Sequence, residues 1–560
     1  MKKWKVWLAM TAVLCTTSMI PPKAEACSCV SIFNDDRDMA SYATTGVLYL
    51  NGKGILQGDS EHNFHPSASI TREEMAVVLA KTLQIAPVDA PSTTPTFSDV
   101  PANGWSFGYV QGVAHAGLMV GDEKGNFNPQ QPITREELAA TLIRAMKLDV
   151  TGRGKNLNVA DQASVSTWAR DAVQAALETG LMHGDTPTTF NPQATAERQQ
   201  VAVVIFNYLM RQGVQEKLNL RMQAIHEKNL DKFLTTLDPD QARGAYKVEQ
   251  THWFQDLIGS SIADYKVEVL DIKVNPPMTL DVTLHQTYTM DGKPYELTYH
   301  EHYNYYGEGM YDAGELLDEL RSSHFVVQYA PEDKATAEKV RDDAEAAYAD
   351  LQAIYPHQEP AGKQLGIKLY HDPEFLRQSV KLSFAWQFIG WYEYGESIKL
   401  SSQRGPTEYY QRTIEHEMVH ELTVGQSNNN LPYWFAEGLA TYYTDLMQDG
   451  GPLLTKPYMS IADLEKINLE TLTDNQEVSI YYNTSGHIVK FLARQYGEDK
   501  VRELVQRLGS YPYQEGTASV NDTESLKRLH ETLPKIFGGK TLEQLDTEWQ
   551  AWIKNLQENH

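Results

Sequence analysis

The chain has 560 residues, of which 41 % are apolar and 22 % charged, and a formal net charge of −25. That length exceeds what one hydrophobic core organises, so several domains are expected. The acidic balance excludes nucleic acid and anionic membrane as partners, and three cysteines cannot supply a disulfide framework.

The first 26 residues predict an export signal. Lys2, Lys3 and Lys5 precede the apolar run 6–15, and Ala24-Glu25-Ala26 supplies a small-x-small cleavage pattern. The run is shorter than the roughly 20 residues a membrane span needs, and no other stretch reaches that length. A secreted protein without a transmembrane anchor is therefore expected. Cleavage leaves Cys27 and Cys29. Lys23 and Glu25 interrupt the apolar approach of a lipid-attachment signal, so the pair reads as a local disulfide or two free thiols. Loss of four lysines and one glutamate takes the net charge to about −28.

Self-similarity follows, with a period of 63 residues. Gly58-Asp59, Phe64, Pro66 and Thr71-Arg72-Glu73-Glu74 recur as Gly121-Asp122, Phe127, Pro129 and Thr134-Arg135-Glu136-Glu137. A worn third copy reads Gly184-Asp185, Phe190, Pro192 and Glu197-Arg198-Gln199-Gln200. Each unit opens on an aspartate (Asp35, Asp99, Asp161). In the later two a helix then runs to Gly117 or Gly180, before a Gly-Asp turn and a second helix. Thr71 and Thr134, each with glutamate three residues on, predict capping boxes.

These residues resemble the S-layer-homology domain, in which three copies pack as a pseudo-trimer and bind secondary cell-wall polysaccharide. The resemblance covers about 30–211, as units 30–88, 95–150 and 157–211. It implies attachment to the wall of a Gram-positive-type bacterium. The family's recognition arginine falls on Arg72 and Arg135, and in register on Arg198. A guanidinium fork suits an acidic sugar substituent; the plainer alternative is that these arginines cap and brace helices. Glu197 is expected to compete for Arg198 and oppose an anionic ligand there.

From about 214 the pattern changes. Helical spacing over 214–237 precedes strand-like runs at 265–274, 279–290 and 295–306, the last two divided by Asp291-Gly292-Lys293. A small α+β linker domain over 214–320 is expected, resembling a nuclear-transport-factor-like cone, with His300 and His302 on its outer face. A further unit, 322–556, begins with strands at 324–329, 365–370 and 397–401 and a helix over 332–354; helices dominate from 407 onward.

That unit holds the chemistry. Pro406-Thr407 predicts a helix start and Gly425 its stop. On that helix His416 and His420 lie four residues apart, so both imidazoles leave one face and can bind one ion. Glu417, one step from His416, is placed to take a proton from a metal-activated water. Glu415 and Glu421 point away from the histidine pair. After the polar break 426–430 comes Leu431-Pro432-Tyr433-Trp434-Phe435-Ala436-Glu437-Gly438-Leu439-Ala440, a second helix on which Glu437 can complete a His-His-Glu set.

Here the sequence resembles the gluzincin metallopeptidases, and 322–556 is similar to the bacterial peptidase MA-like domain. The resemblance implies one Zn2+ per chain on His416, His420 and Glu437, with Glu417 as base and hydrolysis of a peptide or protein substrate. Tyr482, in Tyr482-Asn483-Thr484-Ser485 ahead of a helix over 486–496, matches the family's oxyanion-stabilising position; His487 is a second candidate. Asp445 or Thr441 would orient a histidine ligand. The Gly-x-Met-Glu-Asn strand that grips a substrate's free amine in aminopeptidases is not recognisable, which argues against exopeptidase action. The expected fold class is thus multidomain: an α-helical pseudo-trimer, a small α+β middle domain and an α+β gluzincin-type domain. The expected function is a wall-anchored zinc metallopeptidase. The alternative is a non-catalytic wall-associated binding protein with an inactive peptidase-like domain, but such a protein has no need of the base Glu417.

Overall fold

The computed structural model describes residues 32–89, 95–240, 244–275, 278–307, 309–356, 364–384, 389–403, 410–447, 458–469, 472, 474–514 and 523–558. The export signal, Cys27, Cys29 and the helix start at Pro406-Thr407 lie outside them. No helix among the described residues is long and apolar enough to cross a membrane. The chain forms two compact units that divide between Tyr208 and Leu209, apart from short exchanged segments at 178–180 and 275–278.

In the first unit each repeat contributes two helices: α1 (Thr44–Gly52) and α2 (Arg72–Thr82), α3 (Phe107–His115) and α4 (Arg135–Met146), α5 (Arg170–Glu178) and the start of α6 (Arg198–His226). The first repeat therefore has the leading helix expected only in the later two. Both capping boxes form: the Thr71 and Thr134 hydroxyls accept from the Glu74 and Glu137 amides, whose carboxylates accept from the threonine amides. The opening aspartates earn their period by accepting two consecutive amides each, Asp35 from Phe64 and His65, Asp99 from Phe127 and Asn128, Asp161 from Phe190 and Asn191. Those bonds order the loop that carries the buried phenylalanine. Three isolated bridges, Thr71 to Pro132, Thr134 to Thr195 and Ser69 to Glu197, then join repeat one to two, two to three and three to one. The ring closes on itself.

Helix α6 runs for 29 residues straight through Gly213, so the change of character expected near 214 falls inside one helix. In the second unit α7 (Leu230–Leu234) and α8 (Ala245–Gly259) precede a four-stranded sheet in the order β1 (Ile262–Asn275), β2 (Thr279–Met290), β3 (Lys293–Tyr306), β4 (Gly309–Glu315). Strand β2 alternates strictly, with Leu280, Val282, Leu284, Gln286, Tyr288 and Met290 buried. Its hairpin to β3 turns on Asp291 and Gly292, both at positive φ (50° and 76°), as a two-residue turn requires. His300 is exposed and His302 half-buried, while Glu301 between them faces inward to Arg221 at 3.2 Å.

A second sheet has the order β5 (Asp318–Arg321), β6 (Phe325–Tyr329), β7 (Leu365–Tyr370), β9 (Ile398–Ser401), β8 (Gly390–Trp391). Strands β6, β7 and β9 are parallel and the two edges antiparallel. Helix α9 (Lys334–Ile354) covers the sheet, and α10 (Pro373–Val380) follows β7. The remaining helices are α11 (Tyr410–Gln426), α12 (Tyr433–Thr441), α13 (Ile461–Leu464), α14 (Asn475–Tyr496), α15 (Glu498–Leu508), α16 (Thr523–Ile536) and α17 (Leu542–Glu558). One apolar core runs from Phe325 through Ile414 and Trp434 to Trp549.

The segment 214–320, expected as a linker domain, is tied into this body by buried polar bonds. Lys368 on β7 pairs with Glu249 on α8 at 2.7 Å, Trp253 donates to the Gln378 carbonyl at 3.0 Å, and Arg377 donates to the Tyr288 hydroxyl at 2.7 Å. Buried charges hold only when paired, so these bonds fix α8 against the second sheet.

Candidate functional site

Two sets of residues singled out by the sequence come together, one in each unit. In the first unit the repeat arginines reach across repeat boundaries. Arg72 donates through Nε to the Phe127 carbonyl (2.8 Å) and through Nη2 to that of Val120 (2.7 Å), with its guanidinium over the Phe127 ring. Arg135 does the same to Phe190 and His183, and Arg198 to Phe64 and Gln57. The bracing role is therefore real, and it leaves Nη1 of each arginine for something else. That nitrogen meets Glu137 at 2.7 Å from Arg72 and Glu74 at 3.6 Å from Arg198.

This corrects the expectation for the worn repeat. Glu197 accepts from the Gln199 amide at 2.7 Å, and Arg198 faces Glu74 of the first repeat instead. The carboxylate lost at Gln200 is the register equivalent of Glu74 and Glu137, so its loss falls on Arg135. A groove of about 430 Å³ opens at Arg72, with Asp122, Glu137, Arg144 and Trp168 on its walls. Trp168 is 56 % exposed, as are Tyr42 (59 %) and Trp105 (62 %). These three sit 63 residues apart, a periodic signal present in the sequence and missed there. An exposed ring offers an apolar face with a polar edge to a ligand such as a sugar.

In the second unit α11 and α12 are joined by a turn that asparagine makes possible. Asn428 and Asn429 have positive φ (51° and 56°), and the Asn430 amide donates to the carbonyls of Ser427 and Asn428. The chain reverses, Pro432 caps α12, and Glu437 arrives opposite the histidines. Its Oε2 lies 3.2 Å from Nε2 of His416 and 3.4 Å from Nε2 of His420. A tetrahedral zinc with bonds of about 2.0–2.1 Å sets its ligands about 3.3 Å apart, so two nitrogens and one carboxylate oxygen at these spacings fit that ion. Burial raises the Glu437 carboxyl, but His420 and His416 outweigh it and hold the group well below the usual range.

Glu417 is buried in the same cleft and makes no ion pair with lysine or arginine among the described residues. Burial, opposed by His416 and reinforced by Glu437, pushes its carboxyl up to about 7. Edge strand β8 passes directly above. A Cβ on Gly390 would stand 2.8 Å from the Thr413 methyl and 3.3 Å from Glu417 Oε1, so glycine is what lets the strand approach the carboxylate.

Tyr482 also joins the site, but from inside α14 rather than ahead of a helix starting at 486. Its placement follows from close packing of α14 on α12. A Cβ on Gly438 would meet the Ser485 carbonyl oxygen at 2.7 Å, and on the next turn back from Gly486 the Tyr482 phenol reaches Glu437. Burial, then Glu437 and Glu417, raise that phenol well above its ordinary value, so it stays protonated.

Other candidates do not converge. His487 bonds the Asn483 carbonyl at 2.8 Å, four residues back on its own helix, and does not line the cleft. Asp445 pairs with Arg412 at 2.5 Å, and Thr441 packs against Gly486. Glu415 accepts from Gln411 at 3.2 Å, away from the histidines as expected. The sequence reading missed Tyr392, Glu393 and Tyr394, which follow β8 and form the opposite wall. A two-residue strand leaves no alternation to read.

Among known families, the S-layer homology domain model matches residues 32–76, 96–139 and 160–202. The chain is 28 % identical over 234 residues to a surface-layer 125 kDa protein of Lysinibacillus sphaericus, covering 41 % of this chain and 19 % of that protein. It is 29 % identical over 184 residues to an amylopullulanase of Thermoanaerobacterium thermosulfurigenes, covering 32 % and 10 %. To an endoglucanase of Bacillus sp. (strain KSM-635) it is 33 % identical over 181 residues, covering 31 % and 18 %. The chain thus spans about a fifth or less of the curated relatives it matches. It carries three S-layer-homology repeats, and these with the S-layer relatives place it at the cell surface, in the S-layer or cell wall.

Proposed function

We propose that this chain is a zinc metallopeptidase held at the cell surface by its three repeats, which bind secondary cell-wall polysaccharide. One observation carries the reading: His416, His420 and Glu437 meet at zinc-ligand spacing beside a buried Glu417 that pairs with no lysine or arginine among the described residues. A zinc ion on that triad supplies a Lewis acid that activates water and polarises a peptide carbonyl.

The rest falls to the protein. Glu417, its carboxyl raised by burial, accepts a proton from the attacking water and returns it to the departing amine. Tyr482 keeps its proton and donates a hydrogen bond to the oxygen on which charge develops. Strand β8 forms the wall against which an extended substrate lies, and Gly390 leaves room for it above Glu417. A wall-bound scaffold that only stored metal would gain nothing from Glu417.

The test is a peptide-library digest by the zinc-loaded chain, with Glu417→Gln as control. Hydrolysis should stop on chelation and return with zinc, and Glu417→Gln should keep about one zinc yet lose turnover. Hydrolysis by zinc-replete Glu417→Gln, or none by the zinc-replete parent, contradicts the proposal.

A further inference from the structure

Two loops that the catalytic steps leave unused are fastened in place, and each presents one tyrosine at the mouth of the cleft. The first follows β8. Its turn closes where the Glu396 amide donates to the Glu393 carbonyl at 3.0 Å, with Gly395 at a positive φ of 85°. Buried ion pairs pin the carboxylates at both ends of the turn. Glu393 meets Lys381 at 2.8 Å and Nδ1 of His252 at 2.9 Å, and Glu396 meets the same nitrogen at 2.7 Å and also Lys399. Tyr394 stands between the two glutamates, lines the cleft and is 36 % exposed.

The second loop is 509–514, between α15 and α16. It lies against the turn that joins α11 to α12, and all three asparagines of that turn grip it. Asn428 donates to the Gly509 and Tyr511 carbonyls at 2.7 and 3.3 Å and accepts from the Gln514 amide at 3.1 Å. Asn429 donates to the Gln514 carbonyl at 2.9 Å. Asn430 donates to the Pro512 carbonyl at 3.1 Å, and Arg528 bonds both the Asn430 side chain and that carbonyl. The backbone is thus held on either side of Tyr513, which is 52 % exposed. Its ring stands 6.3 Å from that of Tyr394, tilted by 41°. A tyrosine on a fixed backbone offers contact area at small entropic cost, because only two side-chain torsions remain to be ordered.

The cleft is apolar on that side. Val424 lies one turn beyond His420 on α11, and Tyr433 one turn before Glu437 on α12, so both are displaced from the triad toward the turn that grips 509–514. A helical turn is about 5.4 Å, which an extended peptide covers in one or two residues. Apart from Glu417 and the triad, the one charged residue among the described lining is Glu393, and its oxygens are buried against Lys381 and His252.

We infer that Tyr394 and Tyr513, with Val424 and Tyr433 beneath them, form a side-chain subsite that selects an aromatic residue one or two positions from the scissile bond. The inference rests on the zinc-site reading above and adds the substrate class of that site. Two rings tilted to one another offer a face and an edge to a third, the geometries that aromatic pairs prefer.

The test is isothermal titration of the zinc-loaded full chain with peptide hydroxamates that carry one variable residue, phenylalanine, leucine or alanine, on either side of the zinc-binding group. In one of the two orientations the parent should bind the phenylalanyl compound about tenfold more tightly than the alanyl one, with the leucyl compound between them. Tyr394→Ala and Tyr513→Ala should each lower that ratio about threefold or more at unchanged zinc content. Tyr513→Phe, which keeps the ring, should keep the parental ratio. Because each ratio is taken within one variant, a general loss of stability does not produce the change. A parental ratio near one in both orientations, a parent that prefers leucyl to phenylalanyl, or a parental ratio in Tyr513→Ala overturns the inference alone. Failure of the zinc-loaded parent to bind any of the hydroxamates overturns the zinc-site reading and this inference with it.

Discussion

A phenol and a guanidinium show how a single side chain is assigned work by its neighbours. Tyr482 is buried beside two carboxylates, which keep it protonated and leave its hydroxyl as a donor. Tyr482→Phe should therefore lower kcat by roughly 10²–10³ with KM nearly unchanged, as loss of an oxyanion donor does; steady-state kinetics at matched zinc content checks this. In the repeats, Glu137 pairs with Arg72 at 2.7 Å, while the register equivalent of Glu137 that the 63-residue period assigns to Arg135 is Gln200, which carries no charge. Glu137→Gln copies that worn position and keeps a capping-box residue. It should tighten sedimentation with purified cell walls by several-fold if an acidic polysaccharide is the ligand, and unchanged binding would show that Arg72 does not meet it. The arginines were legible in the sequence because they recur every 63 residues, and the His-Glu set because His416 and His420 stand four residues apart on one helix. Which acid opposes which arginine was not, because the partners come from different repeats.

At the scale of elements, the site depends on how closely α12 and α14 approach. Gly438 stands where any Cβ would press the Ser485 carbonyl at 2.7 Å. Gly438→Ala should part the helices, lower stability by about 1–3 kcal/mol and carry Tyr482 away from Glu437. Denaturant unfolding gives the first effect and kcat the second; full activity in a stable Gly438→Ala would show that the approach is not needed. Elements with a strong period were read well: β2 spans 279–290 as expected, and β7 spans 365–370. Those missed are the ones that tertiary packing creates. Helix α8 has its polar residues turned into buried ion pairs, which hides its amphipathic face, and β8 is two residues long. Glu301 was hidden by the outward His300 and His302 on either side, although a strand's alternation puts it inside.

Over the whole molecule, the division visible in the sequence near 214 and the one expected near 320 have different standing. The repeats close a ring of their own, whereas 214–320 and 322–556 share buried charges. Lys368 pairs with Glu249 and Glu315, and Lys399 lies 3.8 Å from Glu249. A fragment limited to 322–556 would leave Lys368 without either of its carboxylates, while Lys399 keeps Glu396, so burying Lys368 there would cost several kcal/mol. It should be insoluble or zinc-free, while 214–556 should bind zinc; zinc content after gel filtration decides between them. The central claim is that one zinc sits on His416, His420 and Glu437, and removing a ligand should weaken it sharply. The most direct measurement is zinc per chain, by mass spectrometry after dialysis against a weak chelator. The parent and Glu415→Ala should keep about one zinc and Glu437→Ala should keep almost none, whereas Glu437→Ala holding zinc as tightly as the parent would contradict the account.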